Sequence, residues 1–419
     1  MTPPGAADTA RAVATGELHP RNAVERALAA IAARPELNAV LTVCADEALA
    51  RAEADLTGLL AGVPVLIKDL IDTAGIRTTY ASRIYADHVP TRSAAAVRAL
   101  EAQGAIVVGK TNADEFAWGV AGQNVHWGDT QNPLLPGRIA GGSSSGSAAA
   151  VAAGLVPLAL GTDTGGSVRM PAACCGVVGL KPRVGAPPPG VFALCASFDT
   201  VGPMARSVAD CALAHAVLYG GAVPEPRIAG LRAGVLAAAP RLGPAAPPGD
   251  RDERAPALAA ALAELGADVR EVELPVPGAD PWPLFYAEAG VSHQATFPAR
   301  RDDYGPTIRA KLEHAQRVDP GEVHAARAAL VDWRDRAAAD PPVDVIASPA
   351  LGLDEIPPLE VDELEIRLTM SAYARPFSFL GWPAIAIGDV QLAARDETTL
   401  LGAALAWERA YALTSPAER

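Results

Sequence analysis

Lysine is nearly missing from this chain. Of its 35 basic residues only four are lysines: Lys68, Lys110, Lys181 and Lys311. A lysine can lose its proton in a buried site and an arginine cannot, so a chain that draws its positive charge from arginine marks those four positions for inspection. Cysteine is sparse too. Cys44, Cys174, Cys175, Cys195 and Cys211 show neither metal-ligand nor disulfide spacing, and an odd, scattered set suits a reducing cytosol. The net charge of −13 speaks against nucleic acid or an anionic membrane surface as partner. Long apolar runs are absent: residues 148–160 are Ala-rich, broken by Gly154 and Pro157, and too short to span a bilayer. The opening MTPPGAADTA has no basic region followed by an apolar core, so no secretory signal is visible. These absences set the expectation of a cytoplasmic protein, with no membrane and no metal.

What is present is a chain of 419 residues, half of them apolar and a fifth charged, long enough to bury a large core and by length alone to make two or three domains. Helical spacing is seen at 8–33, 45–56, 93–103, 147–153, 205–218 and 255–265, with the start of another from 167. Further helices are expected over most of 281–336, at 363–374 and at 396–411. Short apolar runs at 38–43, 62–69, 105–108, 156–161, 177–180, 233–237, 269–274, 343–347 and 384–387 read as strands. The alternation predicts an α/β fold with a substantially parallel sheet. Residues 220–252, rich in Pro, Gly and Ala, pass for a linker by composition. No internal repeat is evident.

Residues 141–179, GGSSSGSAAAVAAGLVPLALGTDTGGSVRMPAACCGVVG, hold two serine clusters flanked by glycine. Glycine on both sides lets backbone approach a ligand closely and aims free N–H groups at one spot. Three pattern matches nearby read better as decoys. GAIVVGKT (104–111) fits G-x4-G-K-[ST], but its middle is strand-forming where a phosphate cradle needs a loop. GSSSG (142–146) fits G-x-S-x-G, but a loop precedes it instead of a strand, and His215, His293, His314 and His324 sit in motif-free helical contexts. Cys174 and Cys175 lie among apolar residues with no cation or histidine beside them, as inert buried thiols do.

Lys68, Ser143 and Ser167 remain. GVPVLIKD (62–69), GKTNADEFAWG (109–119) and the whole run from GGSSSGS to GLKP (141–182) resemble the amidase signature family, with fainter likeness in SFDTVGPMARSVAD (197–210) and RPFSFLGWPAIAIG (375–388). The resemblance is dense from about 60 to 215 and thin afterwards. It implies one large α/β domain spanning 1–419, a mixed central sheet with helices on both faces, a signature core at 60–215 and a variable, substrate-shaping part at 220–419. That overrides the length prior and makes 220–252 a connection within one domain. It further implies Ser167 as nucleophile, Ser143 as a bridging serine with a cis peptide, Lys68 as general base, and the N–H groups of Thr164, Gly165, Gly166 and Ser167 as an oxyanion hole. Ser144, Asp163 and Arg169 take supporting places. The family usually has glycine where this chain has Ser145, whose side chain either crowds the loop or points to solvent.

The chemistry is consistent with that reading. A serine hydroxyl needs a base, and a lysine serves if it is neutral. Burial beside Val65, Leu66 and Ile67 desolvates the ammonium and pushes its pKa in the needed direction. The expected activity is hydrolysis of a small-molecule carboxylic amide, carbamate or urea-type bond, without cofactor. The alternative is the A-type component of a glutamyl-tRNA amidotransferase, releasing ammonia from glutamine for a partner; the short, divergent C-terminal half favours the stand-alone enzyme. A homodimer is compatible with either. Trp118, Trp127, Tyr304, Tyr373 and Trp382 are the candidate pocket aromatics. Arg375 and the arginines of 301–309 are candidate carboxylate holders, with surface solvation the plainer role.

Overall fold

Runs that are apolar at consecutive positions form strands covered on both faces. In the computed structural model, which describes residues 3–185, 189–243 and 249–411, eleven strands make one sheet. They are β1 (Val40–Val43), β2 (Pro64–Lys68), β3 (Ile106–Thr111), β4 (Leu158–Asp163), β5 (Val178–Lys181), β6 (Thr200–Ala205), β7 (Arg232–Leu236), β8 (Asp268–Val272), β9 (Val345–Pro349), β10 (Ala384–Ile387) and β11 (Val390–Ala394). Their spatial order is β1-β3-β2-β4-β6-β5-β10-β11-β9-β7-β8. Along β2, Val65 and Ile67 enter one apolar cluster and Leu66 another; along β4, Leu158 and Leu160 divide from Ala159 in the same way. This period of two puts a core on each face of the sheet.

The sheet is mixed, as the family resemblance implied, but it is not substantially parallel. Only β2–β3, β2–β4, β7–β8 and β7–β9 run parallel, while β1–β3, β4–β6, β5–β6, β5–β10, β10–β11 and β9–β11 are antiparallel. Two of the strands responsible, β6 and β11, are not legible in the sequence: TVGPMA carries Gly202 and Pro203 mid-strand, and VQLAA follows the turn at Gly388 and Asp389. Residues 220–252 behave as a connection carrying the sheet strand β7; positions 244–248 lie outside the described residues.

For function the decisive geometry is the parallel pairing of β2 with β4, in register Val65 to Leu158 and Ile67 to Leu160. Both strands therefore end on the same edge. Lys68 closes β2 beside residues 161 and 162, and the loop 164–167 leaves β4 at the same place, where α/β sheets open their clefts.

Candidate active site

All four lysines are buried, and the scarcity noted in the sequence acquires a physical meaning. Lys110 ends in the core, donating to the Ile71 carbonyl at 2.5 Å and Thr78 Oγ1 at 2.6 Å. Lys181 donates to the Pro182 carbonyl at 2.7 Å, and Lys311 to the Trp118 carbonyl at 2.6 Å and to Glu363 at 2.5 Å. Because Lys110 Nζ is enclosed and Gly109 to Thr111 continue β3, the G-x4-G-K-T match has no loop with which to cradle phosphate.

Lys68 differs in its neighbours. Its Nζ lies 2.8 Å from Ser143 Oγ, 2.9 Å from Ser144 Oγ and 2.8 Å from Thr162 Oγ1, all fully or nearly fully buried. Burial lowers its pKa from 10.5 to about 7, against the pull of Asp114, Asp163 and Asp199 in the other direction. Three hydroxyl partners and, among the described residues, no carboxylate contact suit a neutral amine, which donates two hydrogen bonds and accepts one.

Ser143 and Ser144 arrive on the turn before the helix Ser145–Ala152, with a cis peptide between Gly142 and Ser143. Ser144 Oγ is held by the main chain of Thr162, accepting from its N–H and donating to its carbonyl, each at 3.2 Å. The Ser144 N–H donates to the Ser167 carbonyl at 3.1 Å, tying the two serine loops together. The middle serine of G-x-S-x-G is thus a strut. Ser145 neither crowds the loop nor reaches solvent: it is buried, and its hydroxyl meets Thr130 Oγ1 at 3.0 Å.

The loop after β4 is braced by Asp163 and Arg169. Arg169 makes paired 3.0 Å bonds to the Asp163 carboxylate and also reaches the Ala374 carbonyl, Gln391 and Ser378, all without exposed surface. Burial alone would raise the Asp163 pKa, but the Arg169 guanidinium overrides it and brings the group down to about 2. Asp163 also accepts the Gly166 N–H at 2.8 Å and that of Val168 at 3.1 Å. This corrects one expectation: Gly166 cannot offer its N–H to an oxyanion, because that donor is already engaged. Among the described residues, the N–H groups of Thr164, Gly165 and Ser167 have no protein acceptor. Gly166 serves by shape instead, with φ of +127° and room for no side chain, since an added Cβ would come within 2.7 Å of the Ala374 Cβ.

Thr164, Gly165 and Ser167 line a cavity. Of the five aromatics expected there only Trp118 takes part. Trp127 packs under Arg77, 5.3 Å away, and Tyr304 lies tilted against Phe116 and edge-on to His293 and Phe297. Tyr373 donates to Asp252 at 3.0 Å, and Trp382 lies beneath Arg395 and beside Phe377. Tyr304, Tyr373 and Trp382 fill core, the usual fate of large side chains, while Trp127 is half-buried outside it. The aromatic wall is made instead by Trp282, Phe285, Tyr286 and Phe379. Arg375 is buried and faces this cavity, not solvent, whereas Arg301 and Arg309 pair with Asp302 at the surface.

Thr162, Asp114 and Asp199 were missed by sequence reasoning, although the last two stand inside the family-like stretches 109–119 and 197–210. Asp199 accepts from Thr164 Oγ1 at 2.6 Å and from the N–H groups of Leu194 and Cys195, holding the loop from behind. Burial raises Asp114 and Asp199 each to about 7. Among the described residues no group of three His, Cys, Asp or Glu side chains could hold a metal ion, and no helix is long and apolar enough to cross a membrane.

A family model described as Amidase matches residues 22–399. The chain belongs to the amidase family. Among curated relatives, the A-type component of glutamyl-tRNA(Gln) amidotransferase from Symbiobacterium thermophilum is 45% identical over 62% of this chain and 58% of its own length, so that match spans less than two thirds of the relative. The protein of the same name from Roseiflexus sp. is 38% identical over 82% and 80%. Among solved structures, an amidase superposes with a TM-score of 0.87 at 31% identity, covering 97% of this chain and 99% of its own. Membership of the amidase family, whose solved members include an amidase and a bacterial aryl acylamidase, places the chain among hydrolases of C–N bonds. The names of the curated relatives support the amidotransferase alternative better than the stand-alone hydrolase favoured from the sequence.

Proposed function

We propose that this amidase-family protein cleaves a carboxamide through an acyl-enzyme on Ser167, with Lys68 as base and Ser143 as proton bridge. The observation carrying this reading is Lys68 Nζ, buried, with a pKa near 7 and 2.8 Å from Ser143 Oγ, on a serine turn tied through the Ser144 N–H to Ser167, which opens on a cavity. Neutral Lys68 accepts the Ser143 proton as Ser143 takes that of Ser167, and Ser167 Oγ bonds to the substrate carbonyl carbon. The carbonyl oxygen, now negative, receives the N–H groups of Thr164, Gly165 and Ser167, donors typically worth ~3–4 kcal/mol each. Reversed, the relay delivers the proton to the leaving nitrogen as the C–N bond breaks. Water then resolves the ester by the same route, and no cofactor is needed.

For the substrate, the curated relatives' names favour the amidotransferase reading, in which ammonia is released from glutamine for a partner protein. A second reading, an amidase working alone, is supported by the cavity's wall of Trp118, Trp282, Phe285 and Tyr286, more apolar than glutamine requires. The test is a hydrolysis panel of small amides, aryl amides, carbamates and glutamine on wild type and Lys68→Ala, with the protein assayed alone and after purification with any bound partner. Strict dependence on glutamine, or a co-purifying second protein, selects the first reading. Activity that is unchanged in Lys68→Ala overturns the mechanism.

A further inference from the structure

The cavity before Ser167 has an unbalanced electrostatic lining. Among the described residues its only acid is Glu363, and both carboxylate oxygens of that residue are engaged: Oε1 with Lys311 Nζ at 2.5 Å and Oε2 with the Val120 N–H at 3.2 Å. Lys311 is neutralised by the same pair. Two guanidiniums remain. Arg375 is 8% exposed, and its stem runs along the oxyanion loop, so that a Cβ added at Gly165 would sit 3.7 Å from Arg375 Cγ. Its Nε and Nη2 donate to the Ser371 and Leu368 carbonyls, and the group lies 5.3 Å over the Trp282 ring. Nη1 has no acceptor among the described residues.

Arg367, from the next turns of chain, donates through Nη1 to Tyr286 Oη at 3.3 Å and leaves Nε buried without a partner. The two cations repel each other, and burial with that repulsion lowers Arg375 to about 10. The carboxylate that acts on Arg375 is Asp280. It is exposed, lies outside the cavity wall and accepts from the Trp282 N–H at 3.0 Å.

Resting on the amide-hydrolase reading, we propose that the cavity selects a carboxamide whose far end is a carboxylate and which carries no free ammonium group. Arg375 and Arg367 clamp the carboxylate while the amide lies at Ser167. Two unsatisfied guanidiniums beside the reacting loop need an anion, and a bidentate carboxylate matches the guanidinium fork. A substrate ammonium would meet no free acid and would add a third positive charge, which low-dielectric walls penalise. Glutamine meets the first requirement and fails the second.

Four amides separate the terms: glutaramate, its neutral counterpart butyramide, glutamine, and Nα-acetylglutamine, in which the ammonium is masked. Expected is a kcat/KM for glutaramate and Nα-acetylglutamine roughly ten- to hundredfold above butyramide and glutamine. Arg375→Gln and Arg367→Gln should each erase most of the preference for glutaramate over butyramide, read as the ratio of the two kcat/KM values within each variant. Butyramide equal to glutaramate, or glutamine above both anionic amides, overturns the proposal. Calorimetry on Ser167→Ala reads the clamp apart from catalysis. Glutaramate should bind and Arg375→Gln in that background should not; absence of binding in Ser167→Ala itself also overturns it. Binding without turnover in wild type would refute the hydrolase reading and leave the clamp standing.

Discussion

Lys68 should set the pH dependence of the reaction. Holding the amine neutral near pH 7 in place of pH 10.5 corresponds to about 5 kcal/mol net against the charged form, burial outweighing the three aspartates. Only the neutral amine accepts the Ser143 proton. About nine in ten molecules are therefore inactive at pH 6 and about one in ten at pH 8. Plotted as kcat/KM for glutaramate, whose carboxylate is already ionised in this range, activity should rise about tenfold per unit below pH 7 and level off above 8. Asp114 and Asp199 also have pKa values near 7, so they must be distinguished from Lys68. Each acts to raise the Lys68 pKa; Asp114→Asn or Asp199→Asn should therefore keep the acid limb and move it to lower pH. The same groups give a stability signature. A lysine depressed in the fold is protonated only in the unfolded chain between its folded pKa and about 10.4, so its contribution is lost as pH falls toward the folded value. Lys68 and Lys181 near 7 and Lys110 near 8 should each add up to about 1.4 kcal/mol per unit to the unfolding free energy between pH 8 and 10, a rise that the buried Cys44, Cys175, Cys195 and Cys211, whose thiols burial pushes up, oppose above about 8.5, so the Lys68 share is the difference between wild type and a variant without it. Urea titrations of wild type and Lys68→Met measure it. A rate profile flat from pH 6 to 9, or a limb near 10, refutes the assignment of the base.

Other expectations follow from single contacts. Arg169→Gln leaves Asp163 buried and charged without its cation, and should cost about 3–5 kcal/mol by denaturant unfolding; a cost below 1 kcal/mol would show the pair is not holding the loop. Gly166→Ala places a methyl 2.7 Å from the Ala374 Cβ at a positive φ, and should lower kcat/KM by on the order of a hundredfold through displacement of Ser167. Magnesium ATP should leave the melting temperature unchanged, because Lys110 is sealed beneath Ile71 and Thr78; stabilisation by ATP would revive the phosphate-loop reading.

Why some of this was readable and some was not follows from how far each feature reaches along the chain. The catalytic loops are local: glycine-flanked serines and the TDTGGS turn carry their geometry within a few residues, and the rarity of lysine pointed to positions that are all buried. The parallel pairing that brings Lys68 to Thr162 is a relation between strands 94 positions apart, visible only in register. Gly166 looked like an oxyanion donor until the Asp163 side chain was seen to occupy it. The pocket wall was missed because Trp282, Phe285 and Tyr286 come from a helix that is apolar on all sides, Trp282–His293, so its sequence does not announce which side meets a cavity. Trp382 and Tyr373, equally conspicuous as letters, went to the core. Strand β6 hid behind Pro203, which lies in a central strand where proline is seldom found.

The claim on which everything else depends is that Ser167 carries the acyl group. Wild-type protein should be mixed with an activated ester of glutarate, quenched in acid within the first turnover, digested and mapped by mass spectrometry. The account predicts one glutaryl adduct, on the peptide containing Ser167, absent from Ser167→Ala and greatly slowed in Lys68→Ala. An adduct on Ser144, Cys174 or Cys175, or one that forms as fast without Lys68, would contradict it.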